Sequence, residues 1–180
     1  MKKIIAIAVV VLILSGGAWW HFMYQHSPES VPEQVPYTVP TLSKEYYNSS
    51  HNFSLNMPAD FTAQEISGDP DGTPYTIVLQ DQSSNGIQIA ISPFDEDTGG
   101  GYTLTQARIQ QDVPDMQIME PQVVEVGNNY KGLAFKSNNE AFGGASREVW
   151  FVFRGNLYQI STYERLDNLL KGIFQTWQFQ

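Results

Sequence analysis

The sequence predicts an α+β fold built mainly on an antiparallel β-sheet, preceded by an N-terminal transmembrane helix and a proline-rich linker. Short apolar runs alternate with polar residues and are separated by turn residues, which is typical of hairpin-connected strands. Apolar residues near the C-terminus recur at helical spacing, which predicts an amphipathic helix. A third observation is the long apolar stretch that opens the chain.

Residues 1–25 are predicted to form a membrane anchor. Lys2 and Lys3 precede the apolar stretch Ile4–Tyr24, which matches the roughly 20 residues that a spanning helix needs. Basic residues at the start predict a cytoplasmic N-terminus, and Trp19 and Trp20 suit the far membrane interface. The chain is thus expected to contact the cytoplasmic membrane through a single pass, with its C-terminal domain outside.

The alternative for this segment is a signal peptide that is cleaved near Ala18, which would release the protein. Gly16 and Ala18 have the small-x-small spacing of a cleavage site. Gly17 stands where a lipoprotein needs its lipid-accepting cysteine, which excludes that class. Either route places the rest of the chain outside the cytoplasm.

Residues 26–44 are predicted to be an extended spacer, followed by one domain over residues 45–180. Pro28, Pro32, Pro36 and Pro40 recur every four residues and favour extended backbone. The net charge of −9 falls on the residues from 44 onward and disfavours nucleic acid as a partner. The chain has no cysteine, which excludes disulfides, thiolate nucleophiles and cysteine-bound zinc.

The domain is predicted to contain four strands, a helix, four strands and a final helix. Gly or Asn-Gly turns at 85–86, 127–129 and 155–156 make neighbouring strands antiparallel. The strand at 146–153 is apolar on both faces, which indicates a central strand covered on both sides. The predicted strands are 53–57, 61–66, 75–80, 87–92, 116–126, 130–137, 146–153 and 157–163.

Two helices complete the predicted order. Thr103 and Gln106 have capping-box spacing and open a short helix that must end by Pro114. The C-terminal helix is predicted to lie on the sheet as part of the core, and its apolar face consists of Leu166, Leu169, Leu170, Ile173, Phe174 and Trp177.

Four segments together resemble the PsbP-like superfamily: HNFSLNMPADF, YTLTQARIQQDVPD, SREVWFVFRGNLYQIST and LLKGIFQTWQF. The resemblance covers most of residues 46–180 and implies an antiparallel sheet sandwiched by helices. Better-understood members bind protein partners, among them an extrinsic subunit of the oxygen-evolving complex and a nuclear binder of the GTPase Ran. The superfamily shares no catalytic motif, so the resemblance assigns no functional residue and no cofactor.

One candidate ligand site is the acidic run Asp95, Glu96 and Asp97, which precedes three glycines. Clustered carboxylates beside flexible backbone suit Ca²⁺ or a small ligand. The spacing of a calcium-binding loop is absent, so a solvated acidic loop is the competing interpretation, and no metal site is assigned.

Other candidate residues are aromatic or titratable. Trp150, Tyr158 and Tyr163 lie on predicted strands and either line a partner-binding groove or fill the core. His51 is the one histidine of the predicted domain and is either a hydrolase residue or an ordinary strand-start residue.

The sequence therefore favours a membrane-tethered, extracytoplasmic and non-enzymatic domain that binds an envelope protein or supports an envelope complex. The first alternative is a small-ligand or calcium-binding domain. The second alternative is a hydrolase that uses His51 or paired carboxylates. No cofactor is expected.

Overall fold

The computed structural model describes residues 37–68, 73–94, 104–127 and 130–180. These ranges contain ten strands and two α-helices, with α1 (Gln106–Asp112) between β5 and β6 and α2 (Asp167–Thr176) between β9 and β10. The strands are β1 (Leu42–Asn48), β2 (Phe53–Pro58), β3 (Thr62–Ile66), β4 (Tyr75–Gln80), β5 (Gly86–Pro93), β6 (Met119–Val126), β7 (Tyr130–Ser137), β8 (Ser146–Phe153), β9 (Asn156–Tyr163) and β10 (Gln178–Phe179). The helices of this part of the chain are too short or too polar to cross a bilayer.

The strands form two antiparallel sheets. The large sheet has the order β3-β4-β5-β9-β8-β7-β6, and the small sheet has the order β1-β2-β10. The α+β class and the antiparallel pairing are therefore confirmed, whereas the small sheet was not predicted. Its first strand starts at Leu42, inside the range assigned to the spacer, and its last strand pairs Phe179 with Phe53.

The large sheet is covered on both faces, as the resemblance implied. On one face, α2 and the small sheet enclose a core in which Phe53 stacks on Trp177 and Phe151 stacks on Tyr158, with ring centroids 4.4 and 4.8 Å apart. On the other face, Ile109 of α1 belongs to a smaller core. Strand β8 contributes to both cores, which confirms its prediction as a central strand.

The two predicted helices begin or end at different residues from those expected. Helix α1 starts at Gln106, and its N-cap is Thr105, whose hydroxyl accepts a hydrogen bond from the backbone of Arg108. The prediction that Thr103 caps this helix is therefore wrong by two positions. Helix α2 ends at Thr176, because Trp177 turns into extended backbone and leads into β10.

Two of the predicted hairpins are present with different turns. Between β4 and β5, the Asp81 carboxylate accepts from the backbone of Ser83 and Asn85 at 2.8 and 2.9 Å, and Ser84 takes the left-handed conformation. Between β8 and β9, Arg154 and Gly155 both have positive φ, the signature of a tight two-residue turn. The predicted turns at 85–86 and 155–156 therefore lie too late in the chain, because Gly86 already belongs to β5 and Asn156 to β9.

Candidate functional site

A cleft of about 450 Å³ opens between α2 and the strands at one end of the large sheet. Strand β6 is the edge strand there, and it pairs with β7 alone among the described strands. Apolar side chains and charged or polar side chains both line it. Its lining comprises Gln122, Val124, Glu125, Gly127, Ala134, Arg147, Val149, Asp167, Leu170, Lys171, Phe174 and Gln175.

The local sequence explains why β6 ends the sheet. Pro121 has no backbone N–H and is therefore tolerated on an edge strand but not in a sheet interior. Glu120 has a φ of 51°, and the register with β7 shifts between Met119 and Gln122, which marks a bulge. Regular pairing resumes from Gln122 to Val126, so this half of the strand offers a free edge beside the cleft.

Alternation along β6 then decides what faces the cleft. Val126 is fully buried in the core under α2, and Val124, two residues earlier, is half-buried on the same face. Val123 points the other way and is 60% exposed. The edge strand thus supplies one apolar wall to the cleft and carries one large apolar side chain in solvent.

Arg147 differs from the other charged residues that line this cleft because it is buried. It is 6% exposed, although it sits on β8, in the interior of the sheet. Its Nε donates a hydrogen bond of 3.0 Å to Asp167 Oδ1 at the start of α2. Lys171, one turn further along the helix, holds the other oxygen of Asp167 at 2.6 Å.

The two Nη groups of Arg147 make no hydrogen bond to any residue in the described part of the chain. An arginine presents five N–H donors, and most of them here are left for water or a ligand. The guanidinium also lines the cleft. The arrangement therefore suits binding of an anionic group, and none of the described lining residues is a serine, threonine, cysteine or histidine.

A second polar cluster joins the small sheet to the opposite edge of the large sheet. The Glu65 carboxylate of β3 accepts hydrogen bonds from Tyr46 at 2.5 Å and from Tyr75. The buried amide of Asn48 donates to both tyrosine hydroxyls, at 3.1 and 2.8 Å. The tyrosine hydrogen bonds, chiefly that of Tyr46, hold the pKa of Glu65 below its usual value.

His51 lies in the turn between β1 and β2, beside this cluster. Its backbone N–H donates to Asn48 Oδ1 at 2.9 Å, and its ring packs 4.8 Å from the ring of Tyr75. Burial lowers the pKa of His51, because the charged imidazolium loses solvation there. Among the described residues, the hydrogen-bond partner of the His51 ring is thus the amide oxygen of Asn48, at 3.2 Å.

The other residues singled out from the sequence are dispersed. Trp150 and Tyr158 are buried on opposite faces of the large sheet and belong to different cores, so they line no common groove. Burial raises the pKa of Tyr158 to about 12. Tyr163 is half-buried against Phe142, with ring centroids 5.2 Å apart.

Several candidates fall outside the described residues. They are the anchor residues Lys2, Lys3, Trp19 and Trp20, the cleavage position Ala18, and the acidic run Asp95, Glu96 and Asp97. Within the described ranges, no group of three or more His, Cys, Asp or Glu residues is arranged to hold a metal ion.

Sequence reasoning missed the cleft because its parts are far apart in the chain. Arg147 stands directly before the segment EVWFVF, whose apolar residues predict a strand in the core rather than a binding site. A basic residue on a strand that is otherwise covered on both faces was the available signal, because charged residues are buried only with partners.

The fold resembles that of PsbP. The solution structure of cyanobacterial PsbP (CyanoP) from Synechocystis sp. PCC 6803 is similar with a TM-score of 0.48 and 10% identity, over 83% of this chain and 99% of that chain. At this identity the likeness to PsbP concerns the fold alone.

A crystal structure from Bacteroides thetaiotaomicron VPI-5482 is also similar, with a TM-score of 0.45 and 12% identity over 78% of this chain. The present chain spans about half of that protein, 49% of its length. No protein-family model matches the sequence, and no curated protein matches it significantly.

Proposed function

We propose that this chain is a membrane-tethered, extracytoplasmic and non-catalytic domain that binds an extended segment of an envelope protein. The observation that supports the binding role is the cleft between α2 and the free edge of β6. A cleft of this kind receives the side chains of a peptide that pairs with the edge strand, while main-chain hydrogen bonds hold the peptide.

The geometry of β6 fits this mode. An edge strand directs alternate N–H and C=O groups away from its sheet, where a further strand can pair with them. The bulge and Pro121 interrupt the first part of β6, which leaves the stretch from Gln122 to Val126 for such pairing. Side chains of an added strand that face the same way as Val124 are directed toward the cleft under α2.

The tether rests on the sequence of residues 1–25. Lys2 and Lys3 before a long apolar stretch, with Trp19 and Trp20 at its far end, favour a single pass with the domain outside the cytoplasm. Intact-mass measurement of the protein recovered from membranes tests this part. Retention of residues 1–18 supports the anchor, and a mass that lacks them supports cleavage near Ala18.

Site-specific photo-crosslinking in native membranes tests the binding role. A photoreactive amino acid at Val123 places the probe on β6, in a side chain that is 60% exposed. The matched control is the same probe at Ile66 of β3, the opposite edge strand, which is 46% exposed. We expect a discrete protein adduct from position 123 and none from position 66.

The crosslinked segment of the partner, identified by mass spectrometry, is then synthesised and titrated into the full-length protein. Pairing with the edge strand predicts slowed hydrogen exchange for backbone amides between Gln122 and Val126. Equal labelling from both probe positions, or a bound peptide that leaves these amides unprotected, would contradict strand addition at β6.

A further inference from the structure

We infer that the segment bound at β6 presents a glutamate side chain, which the Nη groups of Arg147 receive inside the cleft. The inference rests on the proposed binding function and names the chemistry that the cleft selects. It starts from Arg147, a nearly buried cation that keeps unused donors in a cavity.

Asp167 partly neutralises the charge of Arg147, but most of the hydrogen-bond donors of Arg147 are unused. Asp167 accepts from its Nε, and Lys171 shares the same carboxylate, so Asp167 has two cationic partners. Among the described residues, neither Nη group of Arg147 donates to a protein acceptor. Guanidinium forks match carboxylates in a bidentate manner, and such charge-assisted bonds are stronger than neutral ones.

The charges that line the cleft show why the attraction is local. Arg147 and Lys171 are balanced by Asp167 and Glu125. The whole chain is acidic, with a net charge of −9. Long-range attraction therefore does not select an anion, and selection depends on the free donors of Arg147.

Strand spacing favours a side chain over the C-terminus of the partner as the source of the carboxylate. Arg147 is on β8, two strands in from β6, so an added strand runs about 14 Å from β8 at about 4.8 Å per strand. A main-chain carboxylate stays at that distance. A side chain directed over β6 extends toward Arg147, and glutamate has the longer reach of the two acidic residues.

The apolar lining fits the rest of such a segment. Five apolar residues line the cleft: Val124, Ala134, Val149, Leu170 and Phe174. These surfaces match the methylene groups of a glutamate and a neighbouring apolar side chain, while the carboxylate alone needs polar partners. A fully polar anion such as phosphate would leave these apolar side chains uncovered.

Three peptide probes test the inference with the full-length protein in detergent. The first is an acetylated and amidated hexapeptide of alternating valine and threonine with one central glutamate. The second has glutamine in its place, and the third has glutamine together with a free C-terminal carboxylate. Binding is followed by NMR through the β6 amides and the Nε–Hε signal of Arg147.

We expect the glutamate peptide to bind at least about tenfold more tightly than either glutamine peptide, since one bond to a charged group contributes that much. The shift of the Arg147 Nε–Hε signal should accompany the glutamate peptide alone. The preference should disappear in Arg147→Gln. It should persist in Lys136→Gln, because Lys136 is the cation beside Arg147 in register and lies outside the cleft lining.

The outcomes separate this inference from the proposed function. Equal binding of the first two peptides, with protected β6 amides, overturns the glutamate inference and leaves strand addition standing. A shift of the Arg147 signal by glutamate without β6 protection overturns strand addition and supports a carboxylate site. Preference for the free C-terminus assigns the carboxylate to the chain end and overturns the glutamate source. No binding by any peptide overturns both.

If Arg147→Gln fails to fold, Asp167→Asn provides the second test. It leaves Arg147 in place and removes the negative charge of Asp167 that competes for it, while the amide oxygen can still accept from Nε. The preference for glutamate should therefore be kept or increased. Loss of the preference in Asp167→Asn would show that Arg147 does not itself receive the carboxylate.

Discussion

Glu148 shows at the scale of one residue how a carboxyl group is held in the interior of the protein. It is fully buried on β8, and it has no lysine or arginine partner among the described residues. Its oxygens accept from Ser146 at 2.8 Å, Ser161 at 2.5 Å, and Asn139 and Trp150 at 3.3 Å. Four neutral donors from three segments thus converge on one carboxylate.

Removal of this carboxylate is expected to be expensive, because it strands several buried donors at once. We expect Glu148→Ala to lower the free energy of unfolding by roughly 2–4 kcal/mol. Glu148→Gln is the matched control. The side-chain carbonyl oxygen of the glutamine still accepts hydrogen bonds, so the free energy of unfolding should fall clearly less than in Glu148→Ala. Urea unfolding of both variants measures the difference, and equal losses would show that the hydrogen bonds are not the cause.

Gly127 illustrates how an element boundary depends on a close backbone contact. It follows β6, has a φ of +56°, and a Cβ at this position would lie 2.4 Å from the carbonyl oxygen of Trp177. Its N–H also donates to the carbonyl of Phe174 at 3.2 Å. The end of β6 is thereby fixed against the end of α2.

Gly155 offers a control with the same backbone strain and no contact. Its φ is +71°, and nothing lies within 4 Å of an added Cβ. We expect Gly155→Ala to cost about 1 kcal/mol, from the left-handed conformation alone. Gly127→Ala should cost at least twice as much, because the backbone of Trp177 must also move. Similar melting temperatures for the two variants would argue against the close approach.

The same elements show what the sequence could predict. The apolar patterns along β4 and β5, the run of apolar residues in β8 and the turn residues before β7 place these strands to within a residue. Their apolar faces meet a core in a fixed register. Strands β1 and β10 were not predicted. LSKEYYN carries charges on its exposed positions, and β10 has two residues, so neither shows a readable apolar period.

The candidate site was less predictable than the fold, for a related reason. The role proposed for Arg147 depends on its ion pair with Asp167 and on the position of β6 at the edge of the large sheet. None of these relations is local in sequence. Trp150 and Tyr158, by contrast, have the residue type of binding anchors, but they are buried on two neighbouring strands in the interior of the large sheet.

At the scale of the whole molecule, the cluster around Glu65 connects the two sheets. Tyr46 and Asn48 belong to the small sheet, and Glu65 and Tyr75 belong to the edge of the large one. His51 packs against the ring of Tyr75. Loss of this connection would release β1 from the edge of the large sheet. The protonation states of Glu65 and His51 should therefore affect global stability.

Acid should weaken this connection in two stages. Burial holds the pKa of His51 below its usual 6.5, so the unfolded chain takes up this proton first and stability declines as pH falls below about 6.5. The tyrosine hydrogen bonds hold the pKa of Glu65 below 4.5, so its contribution is present above that pH and is lost below it. Both groups therefore act in the same direction.

A neutral replacement of the histidine separates the two stages. In His51→Gln, stability should be nearly constant between pH 7.5 and 5.5, where the wild-type protein loses stability, while the decline below about pH 4.5 remains. Urea midpoints at pH 7.5, 5.5 and 4.0 measure this. If the variant keeps the wild-type slope in the upper interval, the titrating group lies elsewhere, and the connection between the sheets depends on Glu65 without His51.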